Sequence, residues 1–453
     1  MAKTIGILEL NDFQMQLSLL VDGKLQAPVN TCGYSTINSA KQEIIFGQEA
    51  QAQFRRQPLN SFNQYWNQLN VEPINANHNK IRHYADLAHQ QLLALHGQDN
   101  FDELILVVPA SFNREKLSLL LGICGQCPFE VIGLVDSAVI GSSNMNASNT
   151  SASNARSKIL HLDIQLHQCI LTHLSQSNGS EGTQTQIKSV DIIPGTGISQ
   201  LYTRFAHYLS EQFIEQCRFD PIHNADSEQQ LYNLLGQLIN GEQSAELQLS
   251  LDGKQVTLNR QSIWRHASDL FDELSSTLEK CTPFDSLIVH QRITALDGLY
   301  AQLNEKFAGK IQVIEQQNIA ANVVTNQSQV TASDKGLQYT TCLIKDRPNK
   351  DRPSKEPQFT QASHIVINEY AYPIGEQTIY FGSSCASTQR KDDSLIAIDN
   401  NQSLSILNGS KVEVNGQTAS NNQTLNLGDS LTVNGQHARL INVLTSIELK
   451  GQS

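Results

Sequence analysis

The sequence predicts a large α/β domain followed by a small all-β sandwich, and three observations predict it. Strand-like and helix-like segments alternate over the first 345 residues. A charged, proline-containing stretch, KDRPNKDRPSKEPQ (345–358), then interrupts the alternation. Beyond it the pattern changes to short strands separated by Asn-Gly and Gly-Asp turns. Alternation of this kind suits a parallel sheet with crossover helices, and short strands at regular turn spacing suit a sandwich or barrel. A chain of 453 residues is long enough for several cores at ~150 residues each.

The elements follow in order. TIGILEL (4–10) reads as a strand, MQLSLLVDGKLQ (15–26) as a hairpin with Asp22-Gly23 at its turn, and EIIFG (43–47) as a further strand. HNKIRHYADLAHQQLLALHG (78–97) places apolar residues at helical spacing. FDELILVVPASF (101–112) is a buried strand, NREKLSLLLGICGQC (113–127) a helix and FEVIGLVD (129–136) another strand. GSSNMNASNTSASNARS (141–157) is small, polar and aperiodic, which predicts a loop. KILHLDIQLHQCIL (158–171) alternates apolar and polar residues as an extended strand does. VDIIPGTG (190–197) leads into the helix ISQLYTRFAHYLSEQF (198–213), and FDSLIVHQRI (284–293) leads into TALDGLYAQLNEKF (294–307). Between these pairs a helix, the hairpin AELQLSLDGKQVTLNR and a second helix form an insert at about 228–284. The domain boundaries expected are therefore 1–345, a linker over 346–360, and a sandwich over 361–450.

Composition narrows the function. A net charge of -12, with no clustered Lys and Arg outside the linker, argues against a nucleic-acid footprint. No apolar run approaches the ~18 residues that span a bilayer, so no membrane insertion is expected. The opening MAKTIGILEL lacks a secretory layout, which predicts a cytoplasmic protein whose eight cysteines are reduced and mostly buried. Cys124-Gly-Gln-Cys127 falls at the C-terminal end of a helix, where a thiol gains no activation, and no second pair completes a zinc site. His161, Asp163, His167 and His173 alternate along one strand, but ordinary polar residues on an exposed face explain them, so no metal is expected.

With Val108-Pro109-Ala110 and Phe112, then Asp136-Ser137-Ala138, as its centre, the order of motifs over about 340 residues resembles the nucleotide-binding domain of DnaK-type heat-shock 70 chaperones, of the actin-like ATPase superfamily. These residues match that domain's central strand, helix, strand and turn. FGQEAQAQFRRQP (46–58), ILHLDIQLHQCIL (159–171), IPGTGISQLYTRFAHYLSEQF (193–213) and SLIVHQRITALDGLYAQLNEKF (286–307) fall in the family's order. The resemblance implies a two-lobed, ribonuclease H-like domain that binds Mg-ATP through glycine-rich turns, whose backbone N–H groups approach the phosphates closely.

This sequence departs from all three of those clamps. The first turn is Leu8-Glu9-Leu10-Asn11-Asp12-Phe13, without glycine; the second is Asp163-Ile164-Gln165-Leu166-His167, where the acid remains and both glycines are replaced; the adenosine-side Gly-Gly is His290-Gln291. A bulky residue forced into a left-handed conformation costs about 1–2 kcal/mol and loses a phosphate contact. The resemblance therefore implies a pseudo-ATPase: no cofactor, no confident catalytic residue, with Asp163 and Asp136 as remnant candidates. Gly195 and Gly197, before a helix, are the best remaining phosphate contacts beside Asp163, and a tight strand-to-helix turn explains them too.

The C-terminal region is similar to forkhead-associated (FHA) modules, through Asn415-Gly416 and Gly428-Asp429. Their phosphothreonine-binding Arg is replaced by Ser383 after Gly382, and their Ser-x-x-His loop is missing, so phosphopeptide binding is not expected. The function expected is a scaffold or chaperone-like module that binds a protein partner. The alternative is a Mg-ATP-binding ATPase in which Asp163 and Asp136 hold metal-bound water and drive lobe closure.

Overall fold

The computed structural model describes residues 3–76, 78–145, 156–178, 182–240, 245–332, 336–345, 364–367, 370–374, 378–382, 386–387, 389–399, 402–426 and 429–441. Its contacts divide into a larger unit within Met1–Arg347 and a smaller one within Pro348–Ser446. The linker expected over 346–360, Ser383 and Gly428 lie outside the described residues. No described helix is long and apolar enough to cross a membrane.

The larger unit is α/β and uses one strand plan twice. In the first half, β1 (Ile5–Glu9), β2 (Met15–Val21) and β3 (Val29–Thr31) form an antiparallel run. After α1 (Tyr84–Gln98), β4 (Glu103–Val108) pairs parallel with β1. After α2 (Arg114–Cys124), β5 (Glu130–Asp136) pairs parallel with β4 and leads into α3 (Ser137–Ser142). The second half repeats this plan. Strands β6 (Arg156–Ile164), β7 (Gln168–Asn178) and β8 (Thr183–Pro194) are antiparallel. The helices α4 (Ile198–Cys217), α5 (Ala225–Asn240) and α6 (Ser268–Lys280) follow, with the hairpin β9 (Glu246–Leu251) and β10 (Lys254–Asn259) between the last two. Next, β11 (Ser286–His290) pairs parallel with β6, and α7 (Asp297–Lys306) leads to β12 (Ile311–Ile314), parallel with β11, and α8 (Gln316–Thr325). The returning chain adds β13 (Tyr339–Thr340) beside β5 and β14 (Cys342–Lys345) beside β8, closing a seven- and a six-stranded sheet.

Strand patterning explains the layers. In Glu103–Val108 the side chains of Leu104, Leu106 and Val108 enter a core under α1 and α2, while Ile105 and Val107 enter a second core shared with the other sheet. A parallel strand buried on both faces reads as such an unbroken apolar run. The shared core holds α3 and α8 between the sheets, with Val139, Ile140, Ile319 and Val323 against Ile159, Ile170 and Ile288. Gly141 makes this crossing possible, because a Cβ there would sit 2.8 Å from Ile314 and 3.3 Å from Ile319. The far face of the second sheet is covered by α4, whose Leu201, Phe205, Leu209 and Phe213 recur at helical spacing and are all buried. Each fully buried side chain of this size contributes ~1.5–3 kcal/mol.

The aperiodic stretch expected over 141–157 is shorter than its composition suggested. Asp136 caps α3, which runs on to Ser142, and β6 already begins at Arg156. The Asp-Gly and Asn-Gly turns behave as read: Asp22-Gly23, Asp252-Gly253, Asn415-Gly416 and Asn434-Gly435 all combine two positive φ angles. That is the requirement of two-residue hairpins.

The smaller unit is a sandwich of antiparallel sheets. Tyr370–Pro373, His364–Ile367, Gln436–Ile441, Ser430–Val433, Val412–Val414 and Gln417–Thr418 form one; Ala386–Ser387, Ile379–Phe381, Ile396–Ile398, Ser403–Ile406 and Gln423–Thr424 form the other. Ile365, Val414, Leu431 and Leu440 of the first meet Phe381, Ile396, Ile398 and Leu404 of the second in one core. Asn415 stitches its turn by donating from Nδ2 to Asp429 Oδ1 (2.8 Å) and accepting from the Ser430 N–H (2.9 Å).

Candidate functional site

The central strands β1 and β6 each carry an acid at the C-terminal end, Glu9 and Asp163, and these ends face one another. The polar face of β6, His161 and Asp163, is not exposed as the alternation suggested: the residues are 2% and 4% exposed, because they point toward the other sheet. Alternation marks two different surroundings, and here both are interior.

The two turns beyond these strands bind each other. Asn11 donates from Nδ2 to Asp163 Oδ2 (3.0 Å) and to the Ile164 carbonyl (2.9 Å). Its Oδ1 accepts from the N–H groups of Phe13 (3.0 Å) and Gln14 (3.2 Å), which shapes the first turn. Asp12 Oδ1 accepts from the Leu166 N–H (2.8 Å) of the second turn. None of residues 10–14 or 165–167 has a positive φ. The left-handed strain expected from the missing glycines is therefore absent, and side-chain hydrogen bonds shape both turns.

A buried cation fills the space between the acids. His290 ends β11 and caps the short helix Gln291–Thr294, which aims Arg292 back at the strand ends. The Arg292 side chain is 0% exposed; it pairs with Glu9 Oε1 and lies 3.4 Å from Asp163 Oδ2. Its Nε also donates to His290 Nδ1 (3.0 Å). Burial pushes Glu9 up from the usual carboxyl range, an effect that Arg292 offsets and Asp163 reinforces. Burial also pushes Asp12 up to about 7 and His161 down to about 4, and it holds His290 well below the imidazole range, with Arg292 and His161 beside it acting the same way. Neutral imidazoles accept from or pack beside a guanidinium without repelling it, so the one buried cation is left to face the Glu9 and Asp163 carboxyls. Glu9 Oε2, Asp12 Oδ2 and His161 Nε2 have no hydrogen-bond partner among the described residues.

The other sequence-derived candidates have structural duties. Asp136 is fully buried; Oδ1 accepts from the N–H groups of Ala138 (2.8 Å) and Val139 (3.2 Å), and Oδ2 accepts from the Tyr339 hydroxyl (2.8 Å). Burial raises its carboxyl to about 6. Gly195 has φ +76°, as its turn requires. At Gly197 a Cβ would sit 2.5 Å from the backbone of Leu166, His167 and Gln168. The N–H groups that open α4 are used there: Ile198 donates to the Gln165 carbonyl (3.0 Å) and Ser199 to that of Leu166 (2.8 Å). The arrangement brings Asp163 together with Glu9, Asn11, Asp12, His290 and Arg292, but gathers neither Asp136 nor the α4 N–H groups into an open site.

Above the turns, the segment after β3 is strapped to α5. The Arg55 N–H donates to Gln229 Oε1 (2.7 Å), Gln229 Nε2 donates to the Gln51 carbonyl (3.0 Å), and the Arg55 guanidinium lies 3.7 Å from the Tyr232 ring centroid. A cavity of about 210 Å³ remains there, lined by Tyr34, Arg55, Asn63, Ser199, Tyr202 and Tyr232 among others. Among the described cysteines, Cys32, Cys124 and Cys169 are buried and four others half-buried, and these seven are free. Burial raises Cys124 to about 12 and Cys127 to about 11, so neither is an activated thiolate.

Sequence reading missed Arg292 altogether and took the Glu9–Asp12 stretch only as a turn that had lost its glycines. The available signal was an acid, Glu9, inside the otherwise apolar strand end ILEL (7–10), and an arginine three residues past the apolar run Leu287-Ile288-Val289. No protein-family model matches the chain, and no curated protein matches it.

Proposed function

We propose that the larger unit is an actin/heat-shock-70-like domain that has lost ATP hydrolysis and acts as a non-catalytic scaffold, binding a protein partner. The repeated strand plan, the paired helices between the sheets and the facing ends of β1 and β6 support the kinship. One observation carries the loss of function: the buried Arg292 guanidinium lies between Glu9 and Asp163, where a nucleotide's phosphates and metal would have to enter. A built-in cation neutralises the acids that Mg²⁺ would need, and evicting it would leave a guanidinium buried without its partners. The turns that would wrap phosphate hydrogen-bond each other. The smaller unit is an FHA-like sandwich offering a second protein contact, without phosphothreonine specificity.

A thermal-shift titration of the full chain with Mg-ATP tests this reading. No saturable shift is expected; a saturable shift at micromolar nucleotide returns the chain to the ATPase class. A phosphothreonine peptide array against residues 358–453 tests the sandwich separately, and no sequence-dependent binding is expected.

A further inference from the structure

On the far side of the second sheet, His173, Asp191 and Cys281 bring an imidazole, a carboxylate and a thiol to one point. His173 on β7 pairs with Ser189 of β8, which makes Asp191 its diagonal neighbour, and Cys281 caps the C-terminal end of α6. His173 Nε2 lies 2.8 Å from Asp191 Oδ2 and 3.9 Å from Cys281 Sγ, and all three ligating atoms lie within 4.8 Å of one another. The geometry points to a binding site for one thiophilic divalent cation of the Zn²⁺ class, held by these three residues with a fourth position open to water.

Zinc takes nitrogen, oxygen and sulfur ligands at about 2.0–2.3 Å, which sets them about 3.3–3.8 Å apart around a tetrahedron. The two observed separations bracket that range. The His173 and Asp191 side chains are 25% and 40% exposed, so both can move the few tenths of an ångström required, and solvent reaches the open position. Without an ion, Cys281 Sγ donates to the Thr277 carbonyl (3.2 Å), and the histidine and aspartate satisfy each other. Bound metal replaces these contacts and ties the end of α6 to the sheet. The site lies on the face of the second sheet opposite to that of Asp163 and is independent of the reading given to the Arg292 cluster.

Cobalt(II) is the probe. The full-length reduced chain, stripped with a chelator, is titrated with Co²⁺ and followed by absorption. A thiolate-to-cobalt charge-transfer band, with the strong visible bands of a four-coordinate ion, is expected to saturate at one equivalent and to vanish when Zn²⁺ is added. Cys281→Ser abolishes the charge-transfer band, whereas Cys127→Ser retains it. No such band at stoichiometric Co²⁺, or a band that survives in Cys281→Ser, overturns the assignment. If Cys281→Ser does not fold, His173→Ala reports instead: weakened Co²⁺ binding supports the site, and unchanged affinity overturns it.

Discussion

Replacing Arg292 with methionine removes the guanidinium while keeping most of the side chain's volume. The side chain is 0% exposed, and the side chains of its carboxylate partners Glu9 and Asp163 are only 5% and 6% exposed, so neither can turn outward to water. Removing one partner of a buried ion pair typically costs about 3–5 kcal/mol, because the remaining charge is uncompensated. For a unit of about 347 residues, at ~2.1 cal/mol/K per residue, the unfolding entropy is about 0.7 kcal/mol/K. The expected loss in Tm is therefore about 4–7 °C, read by scanning calorimetry at pH 8. A second substitution, Glu9→Gln, removes one of the stranded charges and is expected to restore part of the loss. A drop under about 1 °C, or one that disappears at high salt, would refute the buried pairing, since salt screens only exposed charges well.

Further outcomes follow from neighbouring contacts. Burial raises the Asp12 carboxyl from its usual value to about 7, so the folded chain keeps a proton that the unfolded chain releases near pH 4. That contribution to stability is full below about pH 4 and is lost as pH rises through about 7; Asp12→Asn is expected to flatten Tm over this window and to raise it at pH 8. A parallel pH profile in the variant would discount the effect. Asp136→Ala removes both N-capping hydrogen bonds of α3 and orphans the Tyr339 hydroxyl, a loss of about 2–4 kcal/mol in denaturant unfolding; an unchanged midpoint would contradict its structural role. Gly197→Ala is expected to yield little folded protein, because rigid backbone occupies its Cβ position. Gly253→Ala, with φ +70° and open space around it, costs only about 1 kcal/mol, and equal losses at the two glycines would be inconsistent with this contrast.

Much of the fold was legible because its signals are local. The hairpin turns declare themselves through Asp-Gly and Asn-Gly, and α4 through Leu201, Phe205, Leu209 and Phe213. Residues 311–345 were not legible: β12 is four residues long, and α8, QQNIAANVVT, mixes Gln and Asn into a weak apolar stripe. Its burial comes from α3, which lies far away in sequence. The site was half legible for the same reason. The absence of glycine from two turns could be read directly, but the partners that hold those turns span 152 residues from Asn11 to Asp163 and 283 from Glu9 to Arg292. The expectation of left-handed strain erred because it assumed a glycine-type turn shape, and neither turn has a positive φ.

The central claim is that the space between β1 and β6 is already filled by the protein's own cation. Isothermal titration calorimetry of the full chain with Mg-ATP tests it most directly. A plugged site gives only heats of dilution; a one-to-one isotherm with micromolar affinity, abolished by Asp163→Ala, would contradict it.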